Sequence, residues 1–160
     1  MTPATSGPAA HDDHATAVTE LLRELTVQLR LLNHQVSDRI GLQDVDLECL
    51  DLIARTGPLT PSALARAADL HPATLTGVLD RLENAGWIKR ERVPTDRRAV
   101  HLTADMVRGR DVLRLYEPMR AAIADICADF DPAQLKVIAA FLARVGAAGR
   151  QATDDLAAGN

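Results

Sequence analysis

Val93-Pro94-Thr95-Asp96-Arg97-Arg98-Ala99-Val100-His101-Leu102-Thr103 sets two adjacent arginines, preceded by an aspartate, at the tip of a short hairpin. Trp87–Arg92 and Ala99–Leu102 form its two strands, with Val100 and Leu102 on one face and His101 on the other. Immediately upstream, Pro61–Trp87 reads as two short helices joined by a tight turn. Thr60-Pro61 is a cap followed by a first-turn proline, and small Ala65 and Ala68 beside Leu64 permit a close crossing. Asp69-Leu70-His71-Pro72 makes the turn, and a second helix runs over Ala73–Ala85 on an inner stripe of Leu75, Leu79 and Leu82, with Val78 beside it. Gly86 is its left-handed terminator. A helical pair followed by a basic hairpin is how a small protein offers a helix to a major groove and arginines to a minor groove. The middle of the chain is therefore expected to be a winged helix-turn-helix that binds duplex DNA.

The flanks are helical. Val18, Leu21, Leu22, Leu25, Leu29, Leu32 and Val36 recur at helical spacing over Ala15–Ile40, and Val27 and Leu31 widen the stripe beyond one face. Gly41 ends that helix. A second runs over Asp44–Thr56, with Asp44 as cap and Leu47, Leu50, Ile53 and Ala54 inward, and Gly57-Pro58 stops it. After the hairpin, Thr103 is expected to cap one long helix over Ala104–Ala128. Asp131-Pro132-Ala133-Gln134 is a cap, a first-turn proline and a capping-box partner in register, opening a last helix that frays past Gly149. The outer helices carry more apolar surface than so small a body can cover, which suggests a two-fold dimer.

The predicted fold class is mainly α with a small β-hairpin wing, a winged helix-turn-helix with N- and C-terminal dimerisation helices. Its expected segments are a mobile tail over 1–14, a dimerisation helix over 15–42, the DNA-binding domain over 43–103, dimerisation helices over 104–150 and a frayed tail over 151–160.

Composition agrees. At 160 residues one compact domain is expected, or one domain with an extension that needs a partner, and aromatics at 2% leave the core to Leu, Ala, Val and Ile, which favours helix packing over stacked sheets. The formal charge of -4 hides an asymmetry. Gly86–Arg110 holds seven basic and three acidic side chains, a surplus of +4, so the remainder carries -8. A basic stripe on an acidic body is the footprint of localised phosphate contact. Cys49 and Cys127 lie far apart among apolar positions and suggest neither a disulfide nor a zinc site. No apolar run approaches the roughly 20 residues a membrane span needs, and no secretory signal is visible, so a cytoplasmic, non-membrane protein is expected. No nucleophile elbow, phosphate-binding glycine loop or paired catalytic carboxylates are present; the sequence does not read as an enzyme, and no cofactor is expected.

Leu79-Asp80-Arg81-Leu82-Glu83-Asn84-Ala85-Gly86-Trp87-Ile88 resembles the recognition-helix exit of the MarR (multiple antibiotic resistance regulator) family. The family's wing signature, Asp-x-Arg followed shortly by Leu-Thr, is matched by Asp96, Arg98, Leu102 and Thr103. The resemblance covers Gly41–Thr103; the flanking helices match in order and length. It implies a homodimer with interlocked terminal helices, whose two winged lobes read successive major grooves of a pseudo-palindromic operator. It also implies a repressor that leaves DNA when a small molecule or oxidant acts. The resemblance further implies a ligand site between the helical dimer base and the winged lobes, here lined by aliphatic residues of the first, second and fifth helices, so an apolar or amphipathic effector is the expectation.

The candidate DNA-binding residues are Ser62, His71, Thr74, Thr76, Gly77, Arg81, Lys89, Arg90, Asp96, Arg97 and Arg98. Thr74 and Thr76 lie off the apolar stripe, where short hydroxyl side chains can meet phosphates, base edges or thymine methyls; Thr74 could instead help cap the helix. His71, at the turn, could reach phosphate or cap. Arg81 could meet phosphate, or pair within its helix or with the wing. Gly77 departs from the resemblance, because many members carry a long polar residue there; either the backbone comes close to DNA or specificity lies elsewhere. Arg98 corresponds to the family's minor-groove arginine, a planar, weakly hydrated cation suited to a narrow A·T groove, and Asp96 can hold it in a bidentate pair. Arg97, Arg90 and Lys89 would meet phosphates.

Three rivals remain. His11-Asp12-Asp13-His14, with His34 beyond, would suit a metal sensor of the same fold. Cys49 or Cys127 would suit a redox switch, against the ordinary reading of both as core packing. A winged domain used for protein contacts is the third.

Overall fold

The computed structural model describes residues 8–93 and 96–159, with the side chains of 8–11 and 93–99 outside the described residues. Helices α1 (Pro8–Ile40), α2 (Asp44–Thr56), α3 (Pro61–Ala67) and α4 (Pro72–Asn84) precede strands β1 (Ile88–Val93) and β2 (Asp96–Ala104). Helices α5 (Met106–Leu115), α6 (Glu117–Ala128) and α7 (Pro132–Ala157) follow. The chain divides into two compact units, Met1–Arg114 and Leu115–Asn160.

The core of the first unit lies in the winged lobe. Leu47, Cys49, Leu50 and Ile53 of α2 pack with Leu64 of α3 and with Leu75, Val78, Leu79 and Leu82 of α4, closed by Trp87, Ile88 and Leu102 of the hairpin region. Ala54, expected inward, is exposed; Asp46 and Cys49 complete the inner stripe of α2 instead. β1 and β2 pair antiparallel, from Ile88 opposite Ala104 to Arg92 opposite Val100, with an irregularity between Arg92 and Val93. A bridge from Leu59 to Leu102 ties the segment before α3 to the wing, through Leu102 N–H donating to the Leu59 carbonyl at 2.9 Å.

The terminators behave as the sequence predicts. Gly41 (φ 71°) and Gly86 (φ 74°) take the left-handed conformation that a side chain disfavours. Thr60 caps α3 and Asp131 caps α7, with Asp131 Oδ1 accepting from Ala133 N at 2.7 Å and Gln134 N at 2.8 Å. Gln134 Oε1 returns the bond to the Asp131 N–H at 2.8 Å.

Five local expectations are corrected. The residue before α2 is Gln43, not Asp44, because Asp44 turns to α1: it accepts from Ser37 Oγ and faces His34 Nδ1 at 3.1 Å. β2 runs on through Thr103 to Ala104, so α5 is capped by Asp105, which accepts from Val107 N at 3.0 Å and Arg108 N at 2.9 Å. The single long helix after the wing is two, interrupted at Tyr116; Pro118, in the first turn of α6, has no N–H to continue the ladder. α1 starts at Pro8, inside the segment expected to be a tail, and α7 continues to Ala157 past the predicted fraying point.

Considered separately, the long outer helices bury little. α1 buries Val36 and Ser37 and exposes Leu21, Leu25, Val27 and Leu31. No residue of α7 is buried, and Val137, Phe141 and Leu142 are exposed. Among the described residues no helix is long and apolar enough to cross a membrane.

Candidate nucleic-acid interface

The turn between α3 and α4 is shaped by backbone demands. Asp69 takes φ 50°, a left-handed value that short polar side chains tolerate. His71 then caps α4, its Nδ1 accepting from Ala73 N at 3.2 Å, and Pro72 fills the first helical position. Of the two roles open to His71, the ring performs the cap, and Thr74 does not. With Leu75, Val78, Leu79 and Leu82 turned to the core, Thr74 and Thr76 flank the apolar stripe on either side, both exposed. Thr76 Oγ1 donates to the Pro72 carbonyl at 2.9 Å. Its proton is thus used within the helix, and the methyl group and an oxygen lone pair remain for a ligand. Ser62 is exposed at the start of α3, 3.1 Å from Thr60 Oγ1.

Three arginines hold α4 rather than standing free. Arg81 reaches α2, where Nη2 and Nε grip Asp46 at 2.6 Å and 3.0 Å. The Arg81 side chain is 44% exposed and that of Asp46 only 2%. This hydrogen bond to Asp46 holds the guanidinium pKa above its ordinary value. The partner is neither of those considered from the sequence: it lies on another helix and is buried. Arg90 of β1 bonds Asp80 and reaches Glu83 at 3.1 Å, tying the wing to the exposed flank of α4. Arg108 of α5 lies over the Trp87 ring, 3.9 Å from its centroid, and donates to the Ala85 carbonyl at the end of α4. Sequence reasoning missed Asp46 and Arg108. Asp46 was visible in principle as an acid on the apolar stripe of α2; Arg108 carried no local signal.

In the wing, Lys89 is exposed on β1. The backbone of Asp96, Arg97 and Arg98 lies in β2, while their side chains lie outside the described residues. The structure thus places Ser62, His71, Thr74, Thr76, Gly77 and Arg81 on the α3–α4 motif and Lys89 and Arg90 on β1, with the charge of Arg81 met by Asp46 and that of Arg90 by Asp80 and Glu83. Asp105, held below the usual carboxylate range by the Arg108 and then the Val107 N–H, anchors the return from the wing.

Cys49 is fully buried, and burial, with Glu48 and Asp46 adding to it, pushes its thiol up to about 11. A thiol so placed is poorly nucleophilic. Asp12, Asp13 and His14 belong to α1, and the His11 side chain lies outside the described residues. Among the described residues, no group of three or more His, Cys, Asp or Glu is placed to hold a metal ion.

Comparison with known proteins matches residues 42–100 to the MarR family. An uncharacterised HTH-type transcriptional regulator of Bacillus subtilis, YcgE, is 30% identical over 129 residues, covering 81% of this chain and 83% of the relative. Among solved structures, Rv1404 from Mycobacterium tuberculosis shares the fold with a TM-score of 0.62 and 26% identity, over 93% of this chain and 99% of its own. FabT from Streptococcus pneumoniae, solved in complex with DNA, gives 0.61 at 23% identity, over 89% and 99%.

Proposed function

Because the chain belongs to the MarR family of winged helix-turn-helix transcription regulators, DNA-binding proteins rather than enzymes, we propose that it acts as a homodimeric, ligand-responsive repressor on a pseudo-palindromic operator. The observation that carries this reading is the exposed polar start of α4, with Thr74 and Thr76 presented beside a hairpin whose return strand holds Asp96, Arg97 and Arg98. In this reading the first turns of α4 enter a major groove. Thr76 offers its methyl to thymine, and Ser62, Lys89 and Arg97 meet phosphates. Arg98 enters the adjacent minor groove, oriented by Asp96.

The exposed apolar residues of α1 and of α7 supply the surface for the second copy. An apolar or amphipathic small molecule would shift the dimer between DNA-competent and released forms, as far as its differential affinity for the two allows. The FabT chain, solved on DNA with the same fold, is consistent with the lobe being used this way.

The experiment is selection of a duplex from a random-sequence pool, followed by gel-shift titration at fixed salt. A palindromic consensus with steeply salt-dependent affinity is expected, since phosphate contacts release counterions. Arg98→Ala should weaken binding strongly and leave the dimer intact in size-exclusion chromatography. Unchanged affinity would remove Arg98 from the interface.

A further inference from the structure

We propose that Arg81 is a positioning residue, clamped by the buried carboxylate of Asp46, which sets α4 for DNA without itself binding a phosphate. The proposal rests on the duplex-DNA reading above and sharpens it, by taking one basic residue out of the contact set.

Asp46 is the anchor. Both of its oxygens are occupied by one guanidinium, Oδ1 by Nη2 at 2.6 Å and Oδ2 by Nε at 3.0 Å, and Oδ2 also lies 3.4 Å from the Gln43 N–H. A bidentate fork of this kind fixes direction as well as distance, which a lysine ammonium could not do. The pair also joins helix ends of complementary sign, an acid in the first turn of α2 and a base in the last turn of α4. It therefore determines where the far end of α4 sits on α2, and through the rigid helix how Thr74 and Thr76 are presented.

Arg81 has little freedom to do anything else. A side chain 2% exposed cannot regain water if its partner leaves, so swinging the guanidinium out to a phosphate would strand a buried carboxylate. The third nitrogen, Nη1, points along α4 toward Gly77: a Cβ there would stand 3.5 Å from it. The guanidinium therefore lies along the helix rather than away from it, and an alanine at 77 would only touch its end in ordinary van der Waals contact.

The test uses the full-length protein and the duplex that the wild type selects from a random pool, with affinity followed by fluorescence anisotropy over a salt series. Arg81→Gln and Asp46→Asn should each weaken binding by about tenfold or more, comparable with one lost base-pair contact, with the slope of log affinity against log salt unchanged. The apolar pair Asp46→Leu with Arg81→Met should recover most of the affinity despite lacking the arginine, since a buried ion pair can be replaced by packed apolar groups. A slope reduced by about 0.9 in Arg81→Gln would identify a phosphate ligand and overturn the proposal. So would tighter binding by Asp46→Asn, or a double variant as weak as Arg81→Gln. Where a single variant fails to fold, the double variant decides.

Amide hydrogen exchange on the DNA-free protein gives a second readout. Protection of the Leu75–Leu82 amides should fall in Asp46→Asn and return in the double variant; undiminished protection in Asp46→Asn refutes the clamp. A wild type that selects no duplex would refute DNA binding, and the exchange data would still judge the clamp.

Discussion

Replacing Arg108 with alanine removes two contacts at the junction of α4, the wing and α5. The guanidinium sits 3.9 Å from the ring centroid of Trp87, a residue only 4% exposed, and it donates to the carbonyl of Ala85, the residue that caps the end of α4. A cation over an aromatic face contributes about 0.5–1 kcal/mol at exposed sites and about 2 when desolvated; with the ring buried and the arginine exposed, about 1 kcal/mol is appropriate. The carbonyl bond, which water can partly replace at an exposed helix end, adds about 0.5–1 kcal/mol. The sum of roughly 1.5–2 kcal/mol, with a urea dependence of about 1–2 kcal/mol per molar, should lower the unfolding midpoint by about 1 M. Trp87 is the sole tryptophan, so its emission reports on the site directly. Loss of the cover should shift native emission to the red and move the midpoint together. Protein concentration must be held fixed, because association raises apparent stability. Arg108→Lys should fall between, keeping charge without the planar face, and Arg110→Ala, an exposed neighbour, should stay within about 0.5 kcal/mol of wild type. A midpoint within about 0.3 M of wild type and unchanged emission for Arg108→Ala would refute the account.

Leu82→Ala, at a fully buried position of α4, should cost about 2–5 kcal/mol of stability by urea unfolding, because the fixed helices around it cannot collapse into the space. His34 is raised above its ordinary 6.5, first by its bond to Asp44 and then by Asp38, while Asp44 is lowered from 3.8, first by Ser37 and then by His34. The raised base contributes fully below 6.5 and loses its contribution as pH climbs through its folded value; the lowered acid contributes above 3.8 and loses it on acidification. Stability of the α1–α2 junction should therefore be greatest between those limits, and His34→Gln should flatten the fall in urea midpoint measured from pH 6 to pH 8. Cys49, with its thiol pushed to about 11, should resist a disulfide reagent at pH 8 in the native protein and react at once in urea. Fast native labelling at Cys49 would contradict its burial.

The features legible in the sequence were those enforced by local chemistry. Glycines at Gly41 and Gly86 take positive φ, and the Thr60 and Asp131 caps satisfy helix donors within a few residues, so spacing alone identifies them. Boundaries were missed where two local solutions competed. Thr103 and Asp105 can both cap a helix, and pairing of Lys89 with Thr103 across the hairpin assigned Thr103 to β2. Pro118 was overlooked because the apolar positions keep their helical spacing across it. α1 and α7 outrun their apolar stripes since alanine favours helix without contributing to a large apolar face. The exposure of Thr74 and Thr76 and the existence of the hairpin were legible, because both follow from local periodicity. The ties within the lobe were not, because Asp46 and Arg81 are separated by 35 positions and no periodicity couples them.

Gly77 gives α4, the helix proposed to enter a groove, an unoccupied step. Its inner neighbours carry the core, and an added Cβ meets only the end of one arginine at van der Waals distance. Every glycine codon becomes an alanine, aspartate or glutamate codon through a change at its second base, and an arginine codon through a change at its first. On the proposed DNA-binding role of α4, a change of operator preference thus lies within one mutation of this chain, at a place where the lobe leaves room for the first added carbon.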